Sequence, residues 1–539
     1  MFVKNESHHR LPPNPMDGEI VHIILNGKEV EARHGERIVD VINRNGIFFA
    51  APCYHKYLSE SGHCGMCLVG ARRNPTDAFT VVFSCTATAK DRMEIDTECG
   101  EAAAKRDELF ELCLAQHPLD CAKCDKVGRC FLYRFSRRAK FRGFTRIVGG
   151  KLPDVTYKTF GKNIVFDPQK CIGCKRCIRF CRDIIGDEAL GFIRTEAGYK
   201  EIDVYPNRTI DNNYSLNLVD LCPAGAFINT DCVFQPTEWD LISTPSISTE
   251  SSSGVNTYVL HSEDKIFRII PRENEHVNGA WMPDSARNEH KYFDNRKRLT
   301  KIMQNGVPAR QEMAIMQIIG ALQSGEIAIV CSGNMSMEDQ FLLRRLLDSI
   351  VSDVFFLKKS RQPDGFLIAD DATPNCSGAI LNGIIGKENV VEDLSSLNRK
   401  INSGQCKKIL SLNEEIFSHG VSYAIPEDVE IFYIGTEDEK TSKRAVVSIP
   451  TATHFEQTGT FVNRDYRLQK FHVAISPPND NIFPMWYVLS LLLMAHSGAK
   501  KNEFLWLDDV WHSMSKCMDA LENVDLFNLD PKGIELKRD

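Results

Sequence analysis

The hydrophobic pattern changes character along the chain. Residues 20–33, IVHIILNGKEVEAR, read as a strand, a hairpin turn at Asn26-Gly27 and a second strand, with a helix opening near Glu36. Residues 108–117, ELFELCLAQH, carry apolar side chains at helical spacing and predict an amphipathic helix. From Thr300 onward the apolar runs EIAIVCS, DVFFLK, KKILSLN, VEIFYIG and AVVSIP read as strands. They alternate with helices such as SMEDQFLLRRLLDSIV, which is the pattern of an open α/β sheet, here a short one. The longest apolar stretch, residues 486–495, is far below the roughly 20 residues that span a bilayer. The opening MFVKNESHHRLPPNPMDGEI lacks the apolar core of a secretory signal. With Glu6, Asp17 and few arginines it is also a poor mitochondrial presequence.

Composition narrows the class. At about 150 residues per domain, 539 residues suggest three or four domains. Hydrophobic residues at 43% and charged residues at 25% are ordinary for a soluble protein. A net charge of −7 gives the whole chain no signature of a nucleic-acid binder. Cysteine usage is the informative quantity: 15 of 19 lie between Cys53 and Cys232. A disulfide scaffold would be small and secreted, so cysteines at two-residue gaps point to metal, either zinc or iron–sulfur clusters.

Three sets stand out. The first is Cys53-x10-Cys64-x2-Cys67-x17-Cys85. Three ligands on a long loop with a fourth from a later strand suit a 2Fe–2S cluster, and Gly62 and Gly65 let main-chain N–H groups approach sulfur. A zinc site is the alternative, although only one tight C-x2-C pair is present. The second set is His117-x3-Cys121-x2-Cys124-x5-Cys130. A 4Fe–4S cluster needs one protein ligand per iron, and His117 would supply the fourth. A neutral imidazole leaves the cluster one negative charge fewer. From spacing alone, a zinc site of three cysteines and one histidine remains open. Cys113, on the amphipathic helix, reads as a core residue. The third set is Cys171-x2-Cys174-x2-Cys177, with Cys222-Pro223 following at a distance, a strong 4Fe–4S pattern. Cys181 is left out, because Arg182 follows it and no second C-x2-C-x2-C exists to complete a cluster pair. Residues 126–162 carry eleven lysines and arginines with Phe131, Tyr133, Phe135, Phe141 and Phe144 interleaved. A nucleic-acid patch would have this composition; anionic clusters on both sides and an acidic neighbouring subunit explain it more simply.

The order of these motifs resembles the large iron–sulfur subunit family of respiratory complex I. TEWDLISTPSI, RIIPRENEHVNGAWMPDSAR and FDNRKRL are similar to that family's strand-rich bridge. VVSIPTATHFEQTGTFVNRDYRLQ is similar to the motif closing its molybdopterin-oxidoreductase-like domain. By composition residues 243–253 would pass for a Ser-rich linker; the resemblance assigns them to the folded bridge. It implies an α/β multidomain chain: a β-grasp 2Fe–2S ferredoxin-like domain at 19–100, a His-Cys 4Fe–4S domain at 101–145 and a ferredoxin-like 4Fe–4S domain at 146–235. A bridge at 236–300 and a reduced molybdopterin-oxidoreductase-like α/β domain at 301–539 complete it. No cysteine lies between Cys232 and Cys331, so the extra bridge cluster of some bacterial members is expected to be absent.

The implied function is electron relay in an NADH:quinone oxidoreductase, from a flavin subunit through one 2Fe–2S and two 4Fe–4S clusters towards quinone. No G-x-G-x-x-G is present, so FMN and NADH are expected on a partner subunit. The expected partners are that subunit and its peripheral-arm neighbours, with no nucleic acid and membrane contact only through them. The expected location is the cytoplasmic face of a bacterial inner membrane, with the mitochondrial matrix side second. No molybdopterin is expected: Cys331, Cys376 and Cys406 stand singly, and Gly333 after Cys331-Ser332 makes only a weak phosphate loop. Two alternatives remain: a diaphorase-type Fe–S subunit of a soluble NAD-linked hydrogenase or formate dehydrogenase, and a non-enzymatic redox-sensing or structural Fe–S protein.

Overall fold

The computed structural model describes residues 18–118, 120–138, 157–194, 200–232, 235–292, 298–350, 352–386, 390–391, 394–417 and 425–537. The chain divides into two compact units, Met1–Leu241 and Ile242–Asp539.

In the first unit, strand Ile20–Leu25 pairs antiparallel with Lys28–Arg33 through a turn at Asn26-Gly27, where both residues have positive φ. That tight turn matches strand twist, which is why Asn-Gly marks it in the sequence. Val21, Ile23 and Leu25 point inward at period two. The five-stranded sheet continues with Glu94–Asp96 parallel to Ile20–Leu25, then Leu68–Arg72 and Thr80–Phe83 antiparallel. Helix Ile38–Arg44 buries Ile38, Val39, Val41 and Ile42 against this sheet. The helix begins two residues after the expected Glu36, whose carboxylate instead accepts from the Arg33 N–H at 2.9 Å and pairs with Arg44. Helix Gly100–Gln116 follows and buries Phe110 and Leu114. Farther on, Phe227–Asn229, Ile164–Phe166 and Lys158–Thr159 form a three-stranded sheet, and Phe160, Phe166 and Phe227 pack as an aromatic triangle. Two short helices, Arg176–Phe180 and Asn217–Leu221, complete this part.

The second unit opens with a meander of Ile242–Ile247, Asn256–Ser262 and Lys265–Pro271. Residues 243–253 are therefore folded, and Ser246, Ser248, Ser251, Ser252 and Ser253 are buried. The larger sheet has six parallel strands, in spatial order Val390–Val391, Asp353–Leu357, Ile327–Ser332, Lys408–Leu412, Glu430–Gly435 and Val447–Pro450. The order reverses between Ile327–Ser332 and Lys408–Leu412, the switch point of a doubly wound sheet. Strand residues alternate between two cores: Ile329, Cys331, Leu410, Phe432 and Ile434 on one face, Ala328, Val330, Ile409, Ile431 and Tyr433 on the other. Burial on both faces explains why these strands read as continuous apolar runs. The apolar stretch at 486–495 lies in helix Met485–Ser497, which buries Trp486, Val488, Leu489 and Leu492 in the first of those cores. Among the described residues no helix is long and apolar enough to cross a membrane.

One buried ion pair ties the segment entering this sheet to its strand ends. Arg298 donates to Thr436 O at 3.0 Å, Thr451 O at 2.7 Å and Glu456 Oε2 at 2.6 Å, and Glu456 also accepts from the Thr453 N–H. Removing one partner leaves a buried unpaired charge, so Glu456→Ala is expected to cost about 3–5 kcal/mol in urea unfolding. Arg298→Met combined with Glu456→Leu should recover most of that loss. A cost below about 1 kcal/mol for the single variant would contradict this reading.

Candidate metal centres

The first set surrounds one end of the five-stranded sheet. Cys53, Cys64 and Cys67 stand on the segment between helix Ile38–Arg44 and strand Leu68–Arg72, and Cys85 follows strand Thr80–Phe83. Cys53, Cys67 and Cys85 are buried and Cys64 is half-buried. The thiols of Cys53 and Cys64, of Cys53 and Cys85, and of Cys67 and Cys85 lie within hydrogen-bonding reach. Those contacts hold the Cys53 and Cys67 thiols below their ordinary range and push Cys64 and Cys85 above it. Gly65 has φ +73°, and a Cβ there would meet Leu109 Cδ1 at 2.5 Å, so the ligand loop lies directly on the following helix.

The second set spans a helix end and a turn. The His117 N–H bonds to Leu114 O and closes helix Gly100–Gln116. Cys121 opens the short turn Cys121–Lys123, Cys124 follows it, and Cys130 immediately precedes helix Phe131–Arg138. Cys124 and Cys130 are buried, and burial raises both thiols above their ordinary value. Cys113 is half-buried and packs on the apolar cluster containing Cys130.

The third set lines a small cavity of about 20 Å3. Its lining includes Cys171, Cys174, Cys177 and Cys222 together with Phe166, Ile202 and Phe227. The Gly173 N–H donates to Cys171 Sγ at 3.4 Å, and the Ala226 N–H donates to Cys222 Sγ at 3.3 Å. Burial pushes Cys174 up to about 12 and Cys177 well above its usual range, so these thiols stay protonated until a cation or cluster repays the desolvation. Cys181 is absent from that lining; it lies in the widened turn Cys181–Ile185, buried, its thiol pushed up to about 12 by desolvation. Among the described residues no three or more His, Cys, Asp or Glu side chains are arranged to hold a single metal ion.

The three sets converge. Ala50, Met66, Phe110, Leu114, Cys130, Leu132 and Ala224 form one buried apolar cluster, and Cys64 and Ile172 pack against it. Gly225 has φ +72°, and a Cβ there would meet Lys126 Cβ at 2.6 Å and Cys124 Sγ at 3.3 Å, so the Cys222-Pro223 loop abuts the second set. Lys126 Nζ donates to Val219 O and Asp220 O, both at 2.9 Å, and burial pushes it down to about 8. Of the basic stretch, residues 139–156, with Phe141 and Phe144, lie outside the described residues. The described part is engaged internally: Arg129 pairs with Asp220 and Glu238, Lys158 with Glu201 and Asp203, and Phe131 stacks on Phe135. Sequence reading missed Arg176 and Arg179, whose only signal was their place among the ligand cysteines in CKRCIRF.

Five family models match the chain: a 2Fe-2S iron-sulfur cluster binding domain at 18–100, the NADH-ubiquinone oxidoreductase-G iron-sulfur binding region at 106–140, and the NADH-quinone oxidoreductase subunit 3 ferredoxin-like domain at 161–228. The NADH-ubiquinone oxidoreductase NDSU1/NuoG-like 4Fe-4S domain matches 241–290, and Molybdopterin oxidoreductase matches 387–483. The NADH-ubiquinone oxidoreductase 75 kDa subunit of Reclinomonas americana is 32% identical over 354 residues, 63% of this chain and 49% of the relative. The mitochondrial NADH dehydrogenase (ubiquinone) iron-sulfur protein 1 of Solanum tuberosum is 30% identical over 359 residues, 64% of this chain and 46% of the relative. The chain is similar to the large iron–sulfur subunit of NADH-quinone oxidoreductase. It spans about half the length of the curated relatives it matches. An NAD+-reducing [NiFe]-hydrogenase chain solved in the H2-reduced state overlaps 40% of this chain and 90% of its own, at TM-score 0.35 and 19% identity, too slight a likeness to weigh.

Two features of the carboxyl half bear on what it can hold. The segment matching the 4Fe-4S domain model at 241–290 contains no cysteine. In the sheet of the second unit, a cavity of about 890 Å3 lies beside the switch point. Among the described residues Glu250, Glu289, Asp339, Glu415, Glu437 and Glu439 line it with one lysine, Lys359, and burial raises Glu289 to about 8 and Asp339 to about 7. Burial pushes His454 down to about 3, so it adds no positive charge. Helix Met337–Leu347 caps its own first turn: Ser336 Oγ accepts from the Asp339 N–H and Asp339 Oδ2 accepts from the Ser336 N–H. Cys331 is buried in the sheet, Cys376 contacts Thr373 Oγ1 at 3.1 Å, and Cys406 donates to Lys408 O at 3.3 Å.

Cys222 lines the third cavity, and Cys181 is not among its lining residues. Cys222→Ser is expected to abolish or convert the EPR signal of that centre, whereas Cys181→Ser should leave it nearly unchanged. The reverse pattern would mean that Cys181 supplies the fourth ligand.

Proposed function

We propose that this chain is an electron-relay subunit of an NADH:quinone oxidoreductase. Cys53, Cys64, Cys67 and Cys85 would hold a 2Fe–2S cluster. His117, Cys121, Cys124 and Cys130 would hold one 4Fe–4S cluster, and Cys171, Cys174, Cys177 and Cys222 another. The carrying observation is that all three sets contribute to or abut one apolar cluster in the first unit. An Fe–S cluster supplies a one-electron centre whose potential follows ligand type, hydrogen bonding and burial.

The residues present fit such groups. The third cavity offers four sulfurs in an apolar shell, with N–H groups aimed at two of them. The Nε atoms of Arg176 and Arg179 are buried without a hydrogen-bond partner among the described residues, and a thiolate-ligated cluster is the anion that would satisfy them. The chain's own work is then to bind, to exclude water and to set the local charge. FMN and NADH would sit on a partner subunit, and quinone would be reached through other peripheral-arm subunits. Contact with the membrane, at the cytoplasmic face of a bacterial inner membrane, would run through those partners.

The second unit reads as a scaffold without molybdopterin. A pterin dinucleotide carries phosphates, and the cavity beside the switch point offers them, among the described residues, one lysine, Lys359, beside six acidic side chains. At the adjacent helix end the Ser336 and Asp339 N–H groups are already taken up by the capping box. The domain ranges 19–100, 101–145, 146–235, 236–300 and 301–539 describe how these parts follow one another.

Elemental analysis of anaerobically purified native protein tests this reading. It predicts about ten irons per chain, with no molybdenum or tungsten. Zinc in place of iron at the second set, or molybdenum near one atom per chain, would contradict it.

A further inference from the structure

We propose that Arg176 and Arg179 are positioning residues: a neighbouring pair of guanidinium groups, Arg179 buried and Arg176 half-buried, that fixes the first and third cysteine sets against each other and raises the potentials of the groups both sets hold. This rests on the cluster reading above. Both arginines stand on the short helix Arg176–Phe180, which also carries Cys177. Arg176 donates to Ala51 O at 3.3 Å and to Tyr54 O, on either side of Cys53, and to Leu221 O at 3.3 Å, next to Cys222. Arg179 donates to Cys53 O and Ser59 O. One helix of the third set thus grips the main chain of the first-set loop at four carbonyls and the remote Cys222 segment at a fifth.

The charges have no ordinary reason to be there. Among the described residues neither arginine forms an ion pair with a carboxylate, and their hydrogen-bond acceptors are neutral carbonyls. Asp183, the carboxylate that bears on Arg179, is taken up by the Ser59 N–H and by Arg182. The two guanidiniums also repel each other, three residues apart. Two neighbouring cations, one buried and one half-buried, with no counter-ion among the described residues are unfavourable. What the two guanidiniums do face is the main chain around Cys53 and beside Cys222, the segments that carry a first-set and a third-set sulfur. A positive charge between two redox groups stabilises the reduced, more negative form of each. The second set has different cations: Lys170 pairs with Asp120 and Asp167, and Lys126 donates to Val219 O and Asp220 O. The hydrogen bonds of Arg176 and Arg179 go to the segments of Cys53 and Cys222, so the pair acts on the first and third sets.

The test uses the full chain purified with its native partners, with Arg176→Gln, Arg179→Gln, Arg176→Lys and Arg179→Lys. Iron and acid-labile sulfide are measured, then an EPR-monitored redox titration is run. With iron retained, each Gln variant should shift the one-electron equilibrium of the first-set and third-set signals towards oxidation by about tenfold, about 59 mV downward. The second-set signal should not move, and the Lys variants should stay near wild type. Unshifted potentials in cluster-loaded Gln variants, or equal shifts of all three signals, would overturn the proposal. Should the Gln variants lose iron, the Lys variants decide: retained iron with wild-type potentials supports it, and lost iron overturns the charge argument in favour of guanidinium geometry alone. A wild-type chain without iron would instead refute the cluster reading itself.

Discussion

Packing of the cysteine-bearing segments on a shared apolar core is the constraint on which the first unit depends. Met66, Phe110, Leu114 and Leu132 are buried together with Cys130, Ala50 and Ala224, while Cys64 and Ile172 lean on the same cluster. Each large side chain there contributes about 1.5–3 kcal/mol through burial. The same contacts that stabilise the fold bring together three segments separated by up to about 170 residues of chain. Buried thiols are costly to ionise, and Cys174 and Cys177 are held protonated until something cationic repays the cost. A core of this kind excludes water from any group the cysteines hold, and low polarity is one of the levers on cluster potential.

Charge then divides the two units. In the first, half-buried Arg176 and buried Arg179 and Lys126 donate to main-chain carbonyls beside the cysteine sets. In the second, six acidic side chains among the described residues line the cavity beside the switch point, and burial pushes Glu289, Asp339 and Glu437 towards their neutral forms. A doubly wound sheet ordinarily receives ligands there.

Much of this was legible in the sequence, for identifiable reasons. Asn26-Gly27 announced its hairpin because few other pairs tolerate two positive φ values. The strands EIAIVCS and VEIFYIG announced themselves because both faces are covered, so no polar alternation interrupts them. Three members of the third set, Cys171, Cys174 and Cys177, are local in sequence, and they line one cavity together with the remote Cys222. What escaped notice depends on distant segments meeting. Gly225 matters because Lys126 and Cys124 lie against it, and Arg176 matters because Ala51 and Tyr54 do; neither contact is written in local spacing. The acidic cavity draws its carboxylates from Glu250 to Glu439, so no motif could announce it.

The central claim is that three separate cysteine sets hold three iron clusters within one apolar unit. Anomalous diffraction from crystals of the anaerobically purified protein, recorded on both sides of the iron edge, tests it most directly. The account predicts three iron peaks: one among Cys53, Cys64, Cys67 and Cys85, one beside Cys121, Cys124 and Cys130, and one within the cavity bounded by Cys174 and Cys222. A single-ion peak at the zinc edge in the second set, or no iron in the third cavity, would contradict it.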